Sequence, residues 1–160
     1  MRGLIVAISP ERGIGLGGKI PWHYKGDLRR FKRVTMASAI IMGRLTWESI
    51  GKRPLPGRRN IVITSREDAS IDGANRFADV PSALASCGSG AVWFIGGARI
   101  YEEAMLHVDV LDVTWVPDRI EHPDAVRFPA IDPAAWETGP ELVHEDEPSL
   151  RRQVFTRRAS

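Results

Sequence analysis

The stretch Gly13-Ile14-Gly15-Leu16-Gly17-Gly18-Lys19-Ile20-Pro21-Trp22-His23-Tyr24-Lys25-Gly26-Asp27-Leu28-Arg29-Arg30-Phe31-Lys32 joins a glycine-rich loop to an amphipathic helix. At about 100° per residue from a start near Lys25, the residues Leu28, Phe31, Val34 and Thr35 fall within about 100° of Asp27. Lys32 lies just past that edge, and Arg29, Arg30 and Arg33 are expected to form a basic back. Asp27 therefore stands inside an apolar stripe. A carboxylate so placed loses hydration, which favours its neutral form unless a partner satisfies it. The plainer reading is a first-turn acid favoured by the free amides and dipole of a helix start. The spelling Gly13-x-Gly15-x-x-Gly18 matches a dinucleotide fingerprint, but that motif needs a helix to begin at once. Pro21 forbids one there. The glycines instead predict a mobile lid over a site, closed by Ile20 and Trp22.

Outward from this stretch, residues 4–8, 39–42, 60–64 and 91–95 are short apolar runs of the kind buried on both faces of a sheet, and 110–116 reads as a fifth strand. Helices are expected over 25–36, over 46–50 with Thr46 as cap, from Asp79 or Ser82 to Cys87 with Gly88 closing it, and over 99–106. Residues 67–78 read as a loop with a short edge strand near Phe77. The span 117–141 is punctuated by prolines, and 141–145 with 152–157 reads as a hairpin through Asp146-Glu147-Pro148-Ser149. Strands alternating with helices predict an α/β fold with a mostly parallel central sheet of about eight strands, helices on both faces and an antiparallel C-terminal edge. No repeat or linker divides the chain, so 1–160 is expected to be a single domain.

With 160 residues, 43% apolar content and a formal charge of +2, the chain can bury a real core but carries too little charge to indicate nucleic acid. Arg151, Arg152, Arg157 and Arg158 flank Val154 and Phe155, as on a terminal strand with a solvated face. Neither a leader nor an apolar run of membrane length is visible, so a soluble cytoplasmic protein is expected. The lone Cys87 excludes an internal disulfide and fits a reducing compartment. His23, His107, His122 and His144 show no metal-ligand spacing and read as solvated, Cys87 reads as a core thiol, and no metal is expected.

Ligands of such sheets bind outside the carboxyl ends of the strands. There the sequence places Gly43-Arg44 with Thr46 close behind, Ser65-Arg66, and Gly96-Gly97-Ala98-Arg99 ahead of a helix. Glycines admit a phosphate close to the backbone, and arginine forks match its oxygens. Three such features at one edge suggest a dinucleotide, and two arginines favour NADP(H) over NAD(H).

Further segments carry a resemblance: Gly15 with Pro21-Trp22; Asp27-Leu28-x-x-Phe31-Lys32; Ile41-Met42-Gly43-Arg44-x-Thr46-Trp47-Glu48-Ser49-Ile50-Gly51; Pro54-Leu55-Pro56-Gly57-Arg58-x-Asn60; Ile95-Gly96-Gly97-x-x-x-Tyr101; and Thr114. In this order and spacing the chain resembles the bacterial dihydrofolate reductases over nearly its full length. The resemblance implies that NADPH delivers hydride to C6 of dihydrofolate while N5 gains a proton, supplying one-carbon metabolism. It implies that Asp27 grips the pterin and is fixed by Thr114, and that Ile20, Trp22 and Tyr101 join them at the catalytic centre. Ile5, Ala7, Leu28, Phe31, Lys32, Ile50, Leu55 and Ile95 would line the substrate pocket, and Arg58 would clamp the substrate's glutamate carboxylate. Ala7, Ile14, Gly15, Gly43, Arg44, Leu45, Thr46, Thr64, Ser65, Arg66, Ile95, Gly96, Gly97, Ala98, Arg99, Ile100 and Tyr101 would line the cofactor site. A monomer that antifolates can inhibit, with no nucleic-acid or membrane partner, completes what is implied.

Departures accompany the likeness. Lys52-Arg53 looks like a one-residue insertion, and Arg30 stands where a bulky apolar residue is common. Asp112 shares a strand face with Thr114 and is read as a solvated strand end rather than a second acid at the site. Asp124 is expected to brace the glycine lid. A reductase of the same fold acting on a riboflavin precursor or another pteridine would lack the need for Arg58. A non-catalytic nucleotide- or RNA-binding protein would lack the need for Asp27.

Overall fold

Short apolar strands build one central sheet in the computed structural model, which describes residues 1–69 and 71–160. Residue 70, inside the loop expected over 67–78, lies outside the described residues. In chain order the elements are β1 (Arg2–Ile8), β2 (Gly13–Gly15), α1 (Lys25–Thr35), β3 (Ala39–Gly43), α2 (Arg44–Ser49), β4 (Arg59–Ile63), β5 (Asn75–Phe77), α3 (Val80–Cys87), β6 (Val92–Gly96), α4 (Ala98–Ala104), β7 (Val110–Trp115), β8 (Val126–Arg127), β9 (Trp136–Thr138), β10 (Leu142–Val143) and β11 (Arg151–Arg157). The sheet order is β10-β11-β7-β1-β6-β3-β4-β5, with β9 also on β11. Strands β7, β1, β6, β3, β4 and β5 run parallel. Strand β11 is antiparallel to β7, β9 and β10, which gives the expected antiparallel C-terminal edge.

The apolar runs are buried on both faces because their side chains alternate between two cores. Leu4, Val6, Ile41, Ile61 and Phe94 face α3 and α4, whose Leu84, Ile100 and Ala104 join the same cluster. Ile5, Ile40, Met42, Val62 and Trp93 face the other way, with Trp47 of α2 and with Phe31 and Val34 of α1. Ile5 pairs in register with Asp112 and Ala7 with Thr114. Both polar residues of β7 therefore look toward α1.

Several local expectations need correction. Arg30 is not on a basic back: it is only 3% exposed. It lies about 60° from Asp27 on the wheel and about 40° from Val34, so it belongs to the inward face. Thr46 does not cap α2, which begins two residues earlier with Gly43 at the N-cap position and no side-chain cap. Asp79 does cap α3, accepting from the Ser82 amide at 2.7 Å. The proline-rich 117–141 span contains the short strands β8 and β9, too brief to leave a periodic pattern. On β11, Arg152 and Arg157 are not solvated. Arg152 pairs with Asp112 and Glu145, whereas Arg157 lies over the Trp136 ring at 4.5 Å and donates to the Val108 carbonyl. Cys87 sits half-buried at the rim of the core, its thiol on the Ala83 carbonyl at 3.3 Å.

Candidate active site

Helix α1 starts where Tyr24 turns the extended chain into the first turn without a side-chain cap of its own. Its free amides are satisfied from elsewhere: Gly26 N donates to Glu147 Oε2 at 3.1 Å. A Cβ at Gly26 would run into the Asp146 backbone, so glycine is what lets the 144–147 turn dock on the helix start. Tyr24 donates its hydroxyl to Asp118 Oδ1, which together with burial raises the phenol to about 12.

One turn into the protein, Asp27 Oδ1 accepts from Thr114 Oγ1 at 3.0 Å and lies 3.0 Å from His144 Nε2. The Asp27 side chain is 22% exposed, whereas that of His144 is 0% exposed. The Thr114 contact is as expected. His144 is not: it is no solvated histidine but a fully buried one on the key acid. Its own Nδ1 accepts from the amides of Asp146 and Glu147 at 3.0 and 3.1 Å.

Beneath Asp27, a charged network replaces an apolar floor. Arg30 Nη2 reaches Asp112 Oδ2 at 2.6 Å, with side-chain exposures of 3% and 7%. Arg30 Nε reaches Glu145 Oε1 at 2.9 Å. Arg152 binds both acids, and Arg33 binds Glu145 and Asp146. Asp112 is therefore buried and paired, not a solvated strand end. Burial pushes the Glu145 carboxyl up, but its own backbone amide and the Arg30 and Arg152 guanidiniums outweigh this and hold it at about 2.

Several of the residues expected to line the pocket pack on the core that faces α1. Phe31, Ile50, Leu55 and Ile95 are half-buried against the core that contains Ile5, and Ala7 is half-buried next to Thr114 on β1. Leu28, half exposed, stands at the open side. Lys32 is exposed on the same helix. Arg58 is held in place by Thr35 Oγ1 at 3.1 Å and the Pro56 carbonyl at 3.0 Å, with its guanidinium 6.0 Å from the Phe31 ring centre. Partial burial lowers its pKa, as expected for a cation whose charge awaits a partner.

At the other strand ends, the Gly96-Gly97 peptide is cis, with Gly96 at φ +124°. A Cβ at Gly96 would lie 3.3 Å from Tyr101 Oη and 3.5 Å from Thr46 Oγ1, and one at Gly97 would lie 3.6 Å from Thr46 Oγ1. Thr46 thus overlooks the glycine pair from inside α2. Tyr101 is buried and donates to the Ile5 carbonyl at 2.9 Å, and burial pushes its hydroxyl pKa up. Ala98 is half-buried, Ile100 buried and Arg99 exposed on α4. A groove lies among Arg44, Trp47, Glu48, Lys52, Arg66 and Asp68. Arg44 Nη1 is engaged by both Glu48 oxygens at 2.9 and 2.6 Å, while Ser65, Arg66 and Leu45 are exposed. Thr64 Oγ1 accepts from the Arg66 amide at 3.1 Å and so shapes the turn.

The lid begins as a strand: Gly13 pairs with Arg127 and Gly15 with Val126, with Ile14 packed half-buried between them. A tight Leu16–Lys19 turn follows, with Gly17 and Gly18 at positive φ. Ile20 is 64% exposed and Trp22 half-buried. Asp124 does not brace this lid, because it is exposed and bonded to His122. The β2–β8 pairing holds it instead, and the chain entering it is tied at Glu11, which accepts from the Ile120 amide at 2.7 Å and whose carbonyl accepts from Arg127 Nη1 at 2.7 Å.

The family model for dihydrofolate reductase matches residues 1–157. A dihydrofolate reductase of Neisseria meningitidis serogroup A is 44% identical over 134 residues, 83% of this chain and 82% of that protein. One of Bacillus subtilis is 38% identical over 137 residues, 85% and 80% of the two chains. Among solved structures, the dihydrofolate reductase from Enterococcus faecalis complexed with NADP(H) and RAB-propyl superposes with a TM-score of 0.87 at 32% identity, covering 99% of this chain and 97% of that one. With an acid of α1 held by a threonine of β7, a glycine pair at a strand end and this likeness from end to end, the chain belongs to the dihydrofolate reductase family.

Proposed function

We propose that this site reduces 7,8-dihydrofolate to 5,6,7,8-tetrahydrofolate, with Asp27 as the residue that binds and orients the pterin. The observation that carries the reading is the fixed carboxylate of Asp27, partly open beside apolar walls and bonded at Oδ1 by groups from two other elements. Its free lone pairs match the paired N–H donors of a pterin's amidine-like edge. Leu28, Phe31, Ile50 and Leu55 offer flat apolar contacts for the pterin and aminobenzoyl rings, with Ile5, Ala7 and Ile95 behind them. Arg58, held over Phe31, supplies the fork for a glutamate carboxylate, which favours a folate over a pteridine without that tail. Lys32 adds positive charge at the same mouth.

NADPH fits the opposite wall: the Gly96–Gly97 cradle leaves backbone room that a side chain would fill, and Arg44, Ser65, Arg66 and Thr46 are donors suited to phosphates. Gly43, Leu45, Thr64, Ala98, Arg99 and Ile100 border these groups, and Ile14 and Gly15 approach from the lid. Bound there, the cofactor supplies a hydride for C6. Asp27 orients the ring and favours proton gain at N5, while Ile20 and Trp22 close over the site and exclude bulk water. Tyr101, bonded to the Ile5 carbonyl, fixes the shape of the cradle. The chain acts as a single domain and a monomer in the cytoplasm, where a lone half-buried cysteine is compatible with reducing conditions.

NADPH oxidation with dihydrofolate tests the assignment directly. Asp27→Asn should lower turnover near neutral pH by about 100-fold and recover part of it in acid, and an undiminished rate would refute the role. Arg58→Ala should weaken dihydrofolate binding and leave NADPH binding intact. Unchanged folate affinity would point to a substrate without the glutamate tail.

A further inference from the structure

We infer that His144 is a positioning residue for Asp27, locked by the fold in the tautomer that donates to the carboxylate. This rests on the assignment of Asp27 as the pterin-binding acid. A neutral imidazole carries its proton on one nitrogen and accepts on the other. Here Nδ1 faces two backbone N–H donors, those of Asp146 and Glu147. A proton on Nδ1 would meet both of them head-on, so the proton resides on Nε2. Nε2 lies 3.0 Å from Asp27 Oδ1, and the ring is fully buried. The histidine is thus a neutral donor to an acid, and its direction is set by backbone that cannot rotate away.

The turn that aims it is itself tied to the acid's helix. Glu147 accepts from Gly26 N, Asp146 packs against the bare Cα of Gly26, and Arg33 binds Asp146. The elements packed around the pair carry further charged groups. Arg30 and Arg33 come from α1, Asp112 from β7, Arg152 from β11, and Glu145, Asp146 and Glu147 from the turn. Tyr24 and Asp118 lie at the helix start. They are bonded to one another or, for Glu147, to Gly26 N, and the partners of the Asp27 carboxylate among the described residues are Thr114 and His144. The two donors converge on Oδ1 from β7 and from the turn, so the plane of the carboxylate is fixed before substrate arrives. A donor to a carboxylate also favours its ionised form.

Two substitutions separate this role from mere support of the turn. In His144→Asn the amide oxygen hangs on Cγ, where Nδ1 does, and can still accept from the two backbone amides. It has nothing that reaches Asp27. In His144→Gln the terminal NH2 can reach Asp27, but the acceptor on Cγ is lost. For His144→Asn the KM for dihydrofolate should rise about threefold to tenfold, and the alkaline fall of kcat/KM should move to higher pH. His144→Gln should return that pH profile toward the original while lowering the melting temperature. A His144→Asn enzyme whose KM and pH profile superpose on the unmodified one overturns the inference, as do two variants that lose activity equally with unmoved profiles. Asp27→Asn is run beside them. If it keeps full turnover, the pterin-binding assignment falls; if it collapses while His144→Asn is silent, the positioning role alone falls. An independent reading needs no variant: 15N shifts of the imidazole in the unmodified enzyme should report a protonated Nε2 and a bare Nδ1. A protonated Nδ1 near neutral pH overturns the lock.

Discussion

The two halves of the cleft are prepared in different ways. On the substrate side the acid, its two donors and the linked arginines and carboxylates are bonded into one network, with Thr114, His144, Arg30 and Asp112 buried. On the cofactor side the cations are either exposed, as Arg66 is, or engaged by a neighbouring acid, as Arg44 is by Glu48. One half is organised by the fold; the other must exchange internal contacts for ligand contacts. A rigid donor set favours orientation of a reacting ring, whereas an exchangeable one favours binding and release of a large anion.

The strongest way to break this contrast is Arg30→Met. It leaves Asp112 buried with only the longer Arg152 contact, and a broken buried pair costs about 3–5 kcal/mol. Urea unfolding should show that loss, and dihydrofolate affinity should fall with it. Gly26→Ala comes next: its Cβ must displace the Asp146 backbone, at about 1–3 kcal/mol for overpacking. Its melting temperature should drop while NADPH affinity of the folded protein is unchanged. Glu145 gives a smaller, pH-dependent effect. Its carboxyl is held at about 2 in the folded protein against an ordinary 4.5. The folded state therefore binds fewer protons, and the stabilisation is fully present above about pH 4.5 and is lost as pH falls toward 2. Glu145→Gln should flatten stability in that window, as read by melting temperature against pH. The smallest effect belongs to Glu48→Gln, which frees Arg44 from a part-exposed pair worth about 0–1 kcal/mol. It should tighten NADPH binding by no more than about fivefold and leave dihydrofolate binding alone. A comparable gain in dihydrofolate binding would erase the contrast between the halves.

Only part of the substrate side is legible in the sequence. The apolar strands and the stripe on α1 are legible because alternation and helical spacing are local, whereas the link from Asp27 to Thr114, 87 residues away, follows only from the family resemblance. Arg30 was misplaced because charge argues for solvent, and its partner Asp112 lies 82 residues away. His144 carried no local sign at all: its meaning depends on a turn that folds back across 117 residues onto Asp27. On the helical wheel Arg30 falls on the inward side, and an inward arginine demands a buried acid. Asp112, on the same strand face as Thr114, was the candidate. The lid brace escaped for another reason. Strands β2 and β8, which pair to hold the glycine loop, are three and two residues long, too short for period-2 patterning to reveal them.

That wide separation also sets an order in time. A ribosome adding about 5–20 residues per second makes Asp27 roughly 6 to 23 seconds before His144, 117 residues further on. A nascent chain halted between Thr114 and His144 can offer its acid at most one of the two donors, with Arg30 lacking Glu145 and Asp112 lacking Arg152. The surroundings of Asp27 are thus completed late in synthesis, after the parallel strands of the sheet have already been made.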